Sequence, residues 1–577
     1  MELTQETPID DQGCSAWAPG LEADLPAALL MLETIHRPEH VTSSLMAVVE
    51  IARYTGLPAE ELVVFRPERL ALHELIVRLT TDIVVPEGEE EEDLGKHFRA
   101  IANQVLDRYI QPLMTDIVLA HADLRERVSA LVCQELAATL FKPAEAAPAP
   151  SGFSVTRLFA KRNKAPGRTE SIQERTYRAI AAYKEKGLAA EDPLTAAIFK
   201  SLYKVLGSIA SASGFIGVDR SLLLTLVTDR VCNLYGSRLI GETIAPRVAS
   251  AIKAEGYTPY HVADKPIIIS LKGASAAGKS SLRPILKQML GERGINPDGY
   301  NTISPDIWRR LLLDYDSLGE AYKYAGRLTS HEVIAIDAKL DQYIRDKAQR
   351  DGSIPNLMVD RFRFDSFASE KIARILHGTY AKFADTMYMY FVVTPPEATV
   401  ERGWERGLKR GRYKAVEDFL GHSVEAYEGM PKILFKWLAY DKPLLKYEFL
   451  DNSVPKGTYP KTIAYGTQAA LNIVKVSAFI DIERYQKINI QAKSPEEVYP
   501  QGRTLDVLNN MSFLKQCLAR IPQINFVDES TGKVYVRVQR GVFEVMDESR
   551  FATLLEDDTL AQVFREVAPQ SMRVVKE

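Results

Sequence analysis

One stretch of eight residues limits what this chain can fold into more than any other feature. Residues 273–280 match the pattern G-x-x-x-x-G-K-[ST] in full. The apolar run 267–269 precedes the stretch, and leucine, isoleucine and methionine at helical spacing follow it. A strand, a glycine-containing turn and a helix in this order aim backbone N–H groups and a helix N-terminus at one anion. The sequence therefore predicts a phosphate-binding loop, a P-loop, in an α/β fold with a parallel sheet.

Each position of this loop has an expected role. Gly273 and Gly278 allow the backbone to curl around phosphate, and Lys279 supplies a positive charge at the β- and γ-phosphates. The Ser280 hydroxyl is expected to ligate Mg²⁺, so ATP and Mg²⁺ are the predicted cofactors. The predicted nucleotide-binding residues of the loop are Gly273, Ala274, Ser275, Ala276, Ala277, Gly278, Lys279, Ser280 and Ser281.

Four later stretches place charged side chains at strand ends or on helix faces. A short strand leads to Asp306, and another leads to Asp360, which Arg361 and Arg363 follow closely. A helical stretch between the two strands contains Glu332. The strand at 387–394 precedes a helix whose arginines recur every fourth residue on one face. They are Arg402, Arg406 and Arg410, with Arg412 just beyond.

Together with the loop, these stretches make residues 265–455 resemble the zeta-toxin-like kinases. Those P-loop phosphotransferases phosphorylate the sugar of UDP-N-acetylglucosamine or related small molecules. The resemblance implies that Asp306 accepts the proton of the attacking hydroxyl and that Glu332 binds the sugar. It also implies that the four arginines close over the triphosphate, with Arg402 and Arg406 catalytic. Independently, a carboxylate at a strand's carboxyl end opens into the ligand crevice of such a sheet, and a hydroxyl nucleophile needs a positioned proton acceptor.

The chain departs from the family at the third stretch. The family follows the acid with Gly-Thr, whereas Asp360 is followed by Arg361, Phe362 and Arg363. We expect Asp360, Arg361 and Arg363 to bind substrate, with support of Mg²⁺ through water as the alternative for Asp360. The acceptor thus stays open between a UDP-sugar and a nucleoside, a nucleic-acid end or a protein. A different alternative is a nucleotide-gated interaction protein or secreted effector with little turnover.

Composition and punctuation divide the chain. With 46% hydrophobic and 26% charged residues, it reads as a globular protein. We expect an α/β P-loop kinase core, a parallel sheet with flanking helices, after a mainly α-helical N-terminal region and before a small α+β region. The predicted boundaries are 1–23 flexible, 24–141 helical, 142–170 a Pro/Ala/basic linker, 171–258 helical, 259–460 kinase domain and 461–577 α+β with a hairpin around Gln539 and Arg540.

Charge and targeting signals narrow the function classes. The net charge of −4 argues against a basic nucleic-acid binder. The acidic run 87–93 is expected to be a solvated loop, with docking of a basic partner as the alternative. We find no signal peptide and no apolar run long enough to span a membrane, so a cytoplasmic protein is expected. Delivery by a specialised secretion system would leave no such signal and stays open. The expected partners are a small-molecule hydroxyl substrate and a protein bound by the helical region.

Overall fold

A computed structural model describes residues 13–88, 90, 92–141, 172–214, 219–260, 263–292, 294, 299–360, 381–455 and 457–568. The predicted linker at 142–170 lies outside them. The N-terminal half is helical, and its helices are α1 Leu45–Thr55, α2 Ala59–Leu62, α3 Pro67–Asp82, α4 Asp93–Val105, α5 Met114–Thr139, α6 Ile172–Ala189, α7 Pro193–Ser213, α8 Arg220–Val231 and α9 Ser237–Glu255.

The helical half is arranged around α3. Every residue from 69 to 81 is buried, and α3 packs against α5 and α9 of its own half. A helix that is buried all round belongs in the interior of a larger unit. The two predicted helical regions, 24–141 and 171–258, pack against each other and share one hydrophobic core.

The second half alternates strands and helices. Its elements are β1 Ile267–Gly273, α10 Lys279–Glu292, β2 Tyr300–Ile303, α11 Arg309–Leu312, α12 Ala325–Leu328, α13 Ser330–Asp351, β3 Asn356–Val359, β4 Thr386–Val393, α14 Pro396–Arg410, α15 Val416–Leu438, β5 Leu444–Asp451, β6 Lys461–Thr467, β7 Ala470–Ile473, α16 Val476–Arg484, α17 Ser512–Arg520, β8 Gln523–Val527, β9 Val534–Gln539, β10 Val542–Val545, α18 Glu548–Leu554 and α19 Asp558–Val567. Within the described part of the chain, no helix has the length and apolarity needed to cross a bilayer.

One sheet of ten strands runs through this half in the order β10-β9-β8-β7-β6-β5-β4-β1-β3-β2. The five strands from β5 to β2 are parallel, and β1 lies between β3 and β4 with all seven residues buried. The expected parallel core is thereby confirmed. Because the five strands run the same way, their carboxyl ends meet at one edge, where such sheets bind ligands.

The C-terminal region continues that sheet. Strand β6 pairs antiparallel with β5, and β7 to β10 follow it outward. The expected hairpin is present, since β9 and β10 pair antiparallel around Gln539 and Arg540. The boundary predicted at 460/461 therefore falls inside one continuous sheet, because strand patterns in a sequence do not tell which sheet a strand joins.

The N-terminal segment 13–36 lies against the sheet half. Trp17 Nε1 donates to Glu401 Oε1 (2.6 Å), and Ala16 is buried. Arg327 Nη1 donates to the carbonyl of Ala23 (2.7 Å). The expectation of a flexible stretch up to residue 23 is therefore wrong for residues 13–23, which bury apolar side chains there.

A buried ionic cluster joins the two halves. The Glu332 carboxylate, in the first turn of α13, accepts hydrogen bonds from Arg69 Nε (2.5 Å) and His73 Nε2 (2.7 Å) of α3. Lys339 Nζ lies 3.0 Å from the other ring nitrogen of His73. Burial lowers the pKa of His73 to about 3, so the ring is neutral between the two charges. Although burial acts to raise the pKa of Glu332, Arg69 and His73 hold it well below its usual range.

Substituting Glu332→Gln removes the charge that balances Arg69 at this junction. We expect the free energy of unfolding to fall by about 3–5 kcal/mol, because a buried guanidinium loses its counter-charge. Urea unfolding measures the loss. The matched control is Asp346→Asn on the same helix, where the side chain is 41% exposed, and it should cost less than about 1 kcal/mol. Equal small effects in the two variants would contradict the role of the cluster.

Candidate functional site

The carboxyl ends of the parallel strands open into a cavity of about 1100 Å³. The P-loop between β1 and α10 forms one wall, and α13, α14 and the N-terminal segment form others. Twelve of the residues predicted from the sequence line this cavity, and they are Ser275, Ala276, Gly278, Lys279, Ser280, Ser281, Asp306, Asp360, Arg402, Arg406, Arg410 and Arg412.

The P-loop is held in shape by the ends of β4 and β5. The carbonyl of Ala277 accepts hydrogen bonds from Asn452 Nδ2 (2.7 Å) and Thr394 Oγ1 (3.1 Å). Gly278 has a φ of +93°, and a Cβ there would overlap the Asn452 amide. Glycine is required at this turn by its backbone conformation and by the close approach of Asn452.

Lys279 forms hydrogen bonds to the start of its own loop. Its Nζ donates to two carbonyls of the loop, at 2.9 and 2.8 Å, and the ammonium is buried. Burial lowers its pKa to about 8, and Arg406 adds to the effect. The negative charge of an anion bound here would offset both the burial of the ammonium and its repulsion by Arg406. Three loop residues do not line the cavity, and their backbone carbonyls accept the hydrogen bonds from Lys279, Asn452 and Thr394 instead. They are Gly273, Ala274 and Ala277.

Two oxygen-bearing side chains, Ser280 and Asp360, lie together where the P-loop enters α10. Ser280 Oγ donates to Asp360 Oδ2 (3.2 Å), which also accepts from Arg283 Nη1 (3.2 Å). Hydroxyl and carboxylate oxygens suit Mg²⁺, which takes few protein ligands when phosphate and water complete its shell. Within the described ranges, no cluster of three or more His, Cys, Asp or Glu side chains could hold a metal by itself. The pair fits a Mg²⁺ that a nucleotide brings with it.

Asp306 lies at the carboxyl end of β2 with its carboxylate oriented by two arginines. Arg309 Nε donates to Oδ1 (2.9 Å), and Arg412 pairs with Oδ2. Arg309 also donates to the carbonyl of Gly326 and to Thr329 Oγ1, which fixes its position. Burial acts to raise the pKa of Asp306, but the arginines outweigh it and hold the pKa well below its usual range. The side chain is 36% exposed, so an ionised carboxylate faces the cavity.

Small residues on one face of α14 bring the helix close to its neighbours. A Cβ at Gly403 would overlap the Phe419 ring of α15, and one at Gly407 would lie 3.1 Å from the Tyr413 backbone. The face that carries the arginines is thereby turned toward the cavity. The four-residue spacing in the sequence predicted a single basic face, and the structure confirms it for Arg402, Arg406 and Arg410.

The arginines of α14 have different partners. Arg406 Nη2 donates to Ser275 Oγ of the P-loop (3.2 Å). Arg402 Nη2 donates to the backbone carbonyl that follows β5 (2.8 Å). Arg410 pairs with Glu92 from the acidic run of the helical half, with 2.8 Å between Nε and Oε1. The helical half therefore reaches the rim of the cavity.

Three predicted substrate residues do not join this set. Glu332 is fully buried in the junction with α3 and does not line the cavity. Its expected role in binding the sugar is thus corrected, because Arg69 and His73 occupy its carboxylate. Arg361 and Arg363 lie outside the described residues.

Several cavity residues were missed by the sequence reasoning. Lys414 Nζ lies 3.2 Å from His422 Nδ1. Burial lowers the pKa of Lys414 to about 7, with Arg406 and Arg412 contributing, and lowers the pKa of His422 to about 3. The basic run 409–414 was the available signal for Lys414. No local signal exists for the cavity residues of the N-terminal segment, which are Asp24, Leu25, Leu30 and Glu33.

Comparison with known proteins gives little. No protein-family model matches the chain, and no curated protein matches it. Among solved structures, the chain is similar to one from the PezAT chromosomal toxin-antitoxin system of Streptococcus pneumoniae. The two are 15% identical with a TM-score of 0.24, and the match covers 38% of this chain and 78% of that one. A likeness at this TM-score defines no function.

Inorganic tripolyphosphate tests the cationic cavity without a nucleoside. Because the pKa of Lys414 is lowered to about 7, its charge is present at pH 6 and largely lost at pH 8.5. We expect Lys414→Gln to weaken binding about tenfold at pH 6 and by much less at pH 8.5, as measured by isothermal titration calorimetry. Lys432→Gln, at an exposed position on α15, is the control and should match the parent at both values. A penalty that is the same at both pH values would contradict the assignment.

Proposed function

We propose that the protein is an ATP- and Mg²⁺-dependent phosphotransferase that transfers the γ-phosphate to a hydroxyl group of a small molecule. One observation carries this proposal: the P-loop, the ionised Asp306 and a group of arginines and lysines line the same cavity. Phosphoryl transfer needs a phosphate cradle, a proton acceptor and positive charge around the transferred group. The cavity brings together side chains for all three.

The P-loop and the cations bind the triphosphate in this proposal. Backbone N–H groups of the loop and Lys279 hold the β- and γ-phosphates, and Arg402, Arg406 and Arg412 stabilise charge on the transferred group. Ser280 and Asp360 would hold Mg²⁺, which when bound neutralises charge on the phosphate oxygens. The burial that lowers the pKa of Lys279 also strengthens its attraction to an anion, since little water competes.

Asp306 orients the acceptor hydroxyl and takes its proton. The hydroxyl oxygen bonds to the γ-phosphorus, the bond from that phosphorus to the bridging oxygen breaks, and ADP leaves. A carboxylate of low pKa is a weak base, which suits a loose transition state in which the proton moves late. Arg412 contacts Asp306 and lines the cavity. Its positive charge therefore lies between the proton acceptor and the transferred phosphate in this proposal.

The acceptor remains part of the proposal. A UDP-N-acetyl-sugar follows from the resemblance to zeta-toxin-like kinases, but Glu332 no longer supports it. The acceptor side of the cavity is lined by successive turns of α13, with Ser330, His331, Asp337, Asp341 and Arg345 among the lining residues. Polar groups along four turns suit an acceptor with several hydroxyl groups. Which compound this is can be identified by assaying phosphate transfer to a panel of acceptors.

Substituting Asp306→Asn should reduce phosphate transfer by at least about a hundredfold, because the hydroxyl loses its proton acceptor. ATP should bind at least as tightly as to the parent, since Asp306 is not a ligand of the phosphates in this proposal and competes with them for Arg412. Transfer is measured with γ-labelled ATP and Mg²⁺, using a panel of UDP-sugars and a metabolite extract as acceptors.

Asp316→Asn is the control for that assay, because this carboxylate is 87% exposed and pairs with Arg310 outside the cavity. Full transfer by the Asp306 variant would remove Asp306 from the reaction. Label on a compound other than a UDP-sugar would support kinase activity and contradict the UDP-sugar as its acceptor. A parent protein that binds ATP and transfers nothing would favour the nucleotide-gated interaction protein.

Gly278→Ala tests the loop itself. The new Cβ would overlap the Asn452 amide at a φ of +93°, so we expect ATP to bind at least about tenfold more weakly. Binding is followed with a fluorescent ATP analogue. Gly421→Ala in α15 is the matched control, because a Cβ there meets no atom within 4 Å, and it should bind as the parent does. Unchanged binding in both variants would exclude this loop as the nucleotide site.

A further inference from the structure

The acidic run 87–93 contacts the sheet half of the molecule. The expectation of a solvated loop is wrong for Glu87, whose side chain is only 7% exposed. Its Oε1 accepts a hydrogen bond from Thr302 Oγ1 of β2 (2.8 Å) and lies 4.0 Å from Arg283 Nε. Glu92 of the same run pairs with Arg410. The basic side chains that Glu87 and Glu92 approach thus belong to the same chain, and docking of a separate basic partner stays a prediction.

Arg283 connects Glu87 to the oxygen ligands at the P-loop. It lies on α10, three residues after Ser280, and is buried. Its Nη1 donates to Asp360 Oδ2 and to Ser304 Oγ, both at 3.2 Å. Glu87, Arg283 and Asp360 thus form a buried row of two carboxylates with one guanidinium between them, and the far carboxylate contacts Ser280.

The backbone around Glu87 is fixed against the sheet edge. Val84 N donates to the carbonyl of Thr258 (3.0 Å), and Asn301 Nδ2 of β2 donates to the carbonyl of Thr80 (3.1 Å). His97 Nδ1 lies 2.8 Å from the carbonyl of Pro86. The position of Glu87 is therefore set by the helical half as it covers the outermost parallel strand.

We propose that Glu87 is a positioning residue for the divalent-cation site, supplied to the kinase core by the helical half. The charges of Asp360 and Arg283 alone cancel. If Arg283 were buried with Asp360 as its one carboxylate partner, the arginine would bind that carboxylate tightly and compete with a cation for it. The second carboxylate gives Arg283 another partner and leaves the row with a net charge of −1 beside Ser280. That charge attracts a divalent cation bound with nucleotide. The inference rests on the proposed function, because the cation is the one expected with ATP.

The test measures cation affinity rather than activity. Mn²⁺ is titrated into full-length protein saturated with a non-hydrolysable ATP analogue and followed by electron paramagnetic resonance. Glu87→Gln keeps an acceptor for Thr302 and removes the charge, and we expect Mn²⁺ to bind about fivefold more weakly. Glu90→Gln removes the same charge from an exposed position in the same run and should change binding by less than about twofold.

A charge-balance rescue separates this role from a merely structural one. In Glu87→Gln with Arg283→Gln, Asp360 again carries a net charge of −1, so Mn²⁺ affinity should return toward that of the parent. Arg283→Gln alone should bind Mn²⁺ at least as tightly as the parent, and it keeps the test available if Glu87→Gln does not fold. Parent-like binding by Glu87→Gln, or a double variant weaker than the single one, would overturn the proposal. A parent protein that binds no Mn²⁺ with nucleotide would instead overturn the proposed function.

Discussion

A buried charge needs an opposite charge within a few ångströms, and this constraint connects the two halves of the molecule. Glu332 has no exposed surface, and the cation that balances it, Arg69, lies on α3, 263 residues earlier. Glu87 likewise leaves the helical half to meet Arg283 behind the P-loop. Removing either half would take away the opposite charges of these groups and expose the apolar surface that the two halves bury together. The helical half is therefore part of the structural unit that holds the cavity.

The parallel strands then determine what the cavity contains. The loop after β1, Asp306 after β2, Asp360 after β3, Thr394 after β4 and Asn452 after β5 reach one edge because their strands run the same way. The last two support the P-loop from behind through one carbonyl, that of Ala277. Because two neighbouring strands fix this turn, its backbone would need little rearrangement to receive the phosphates of the proposed function, which lowers the cost of binding.

The sequence was most informative where chemistry is local. Eight consecutive residues define the P-loop because glycine at 278 answers a backbone requirement that other residues do not meet. Asp306 and the arginine face of α14 followed from strand ends and helical spacing. Glu332 could not be placed, since a carboxylate in the first turn of α13 can face the cavity or α3, and only the packing of α3 decides. The contact of Trp17 could not be predicted either, because its partner Glu401 lies 384 residues away. The sequence patterns of β6 to β10 predict strands but do not show which sheet these strands join.

Repulsion among the cavity cations explains why acids accompany them. Arg412 and Arg410 would raise each other's energy if they stood alone around one opening, and Asp306 and Glu92 offset that repulsion in the free protein. A triphosphate would compete with these acids for the same guanidinium groups. Its affinity is then set by a difference between two ionic arrangements, one internal and one with the ligand. In the proposed reaction, drawing Arg412 toward phosphate would also weaken its hold on Asp306 and raise the pKa of that carboxylate, so that nucleotide binding would make Asp306 a better proton acceptor.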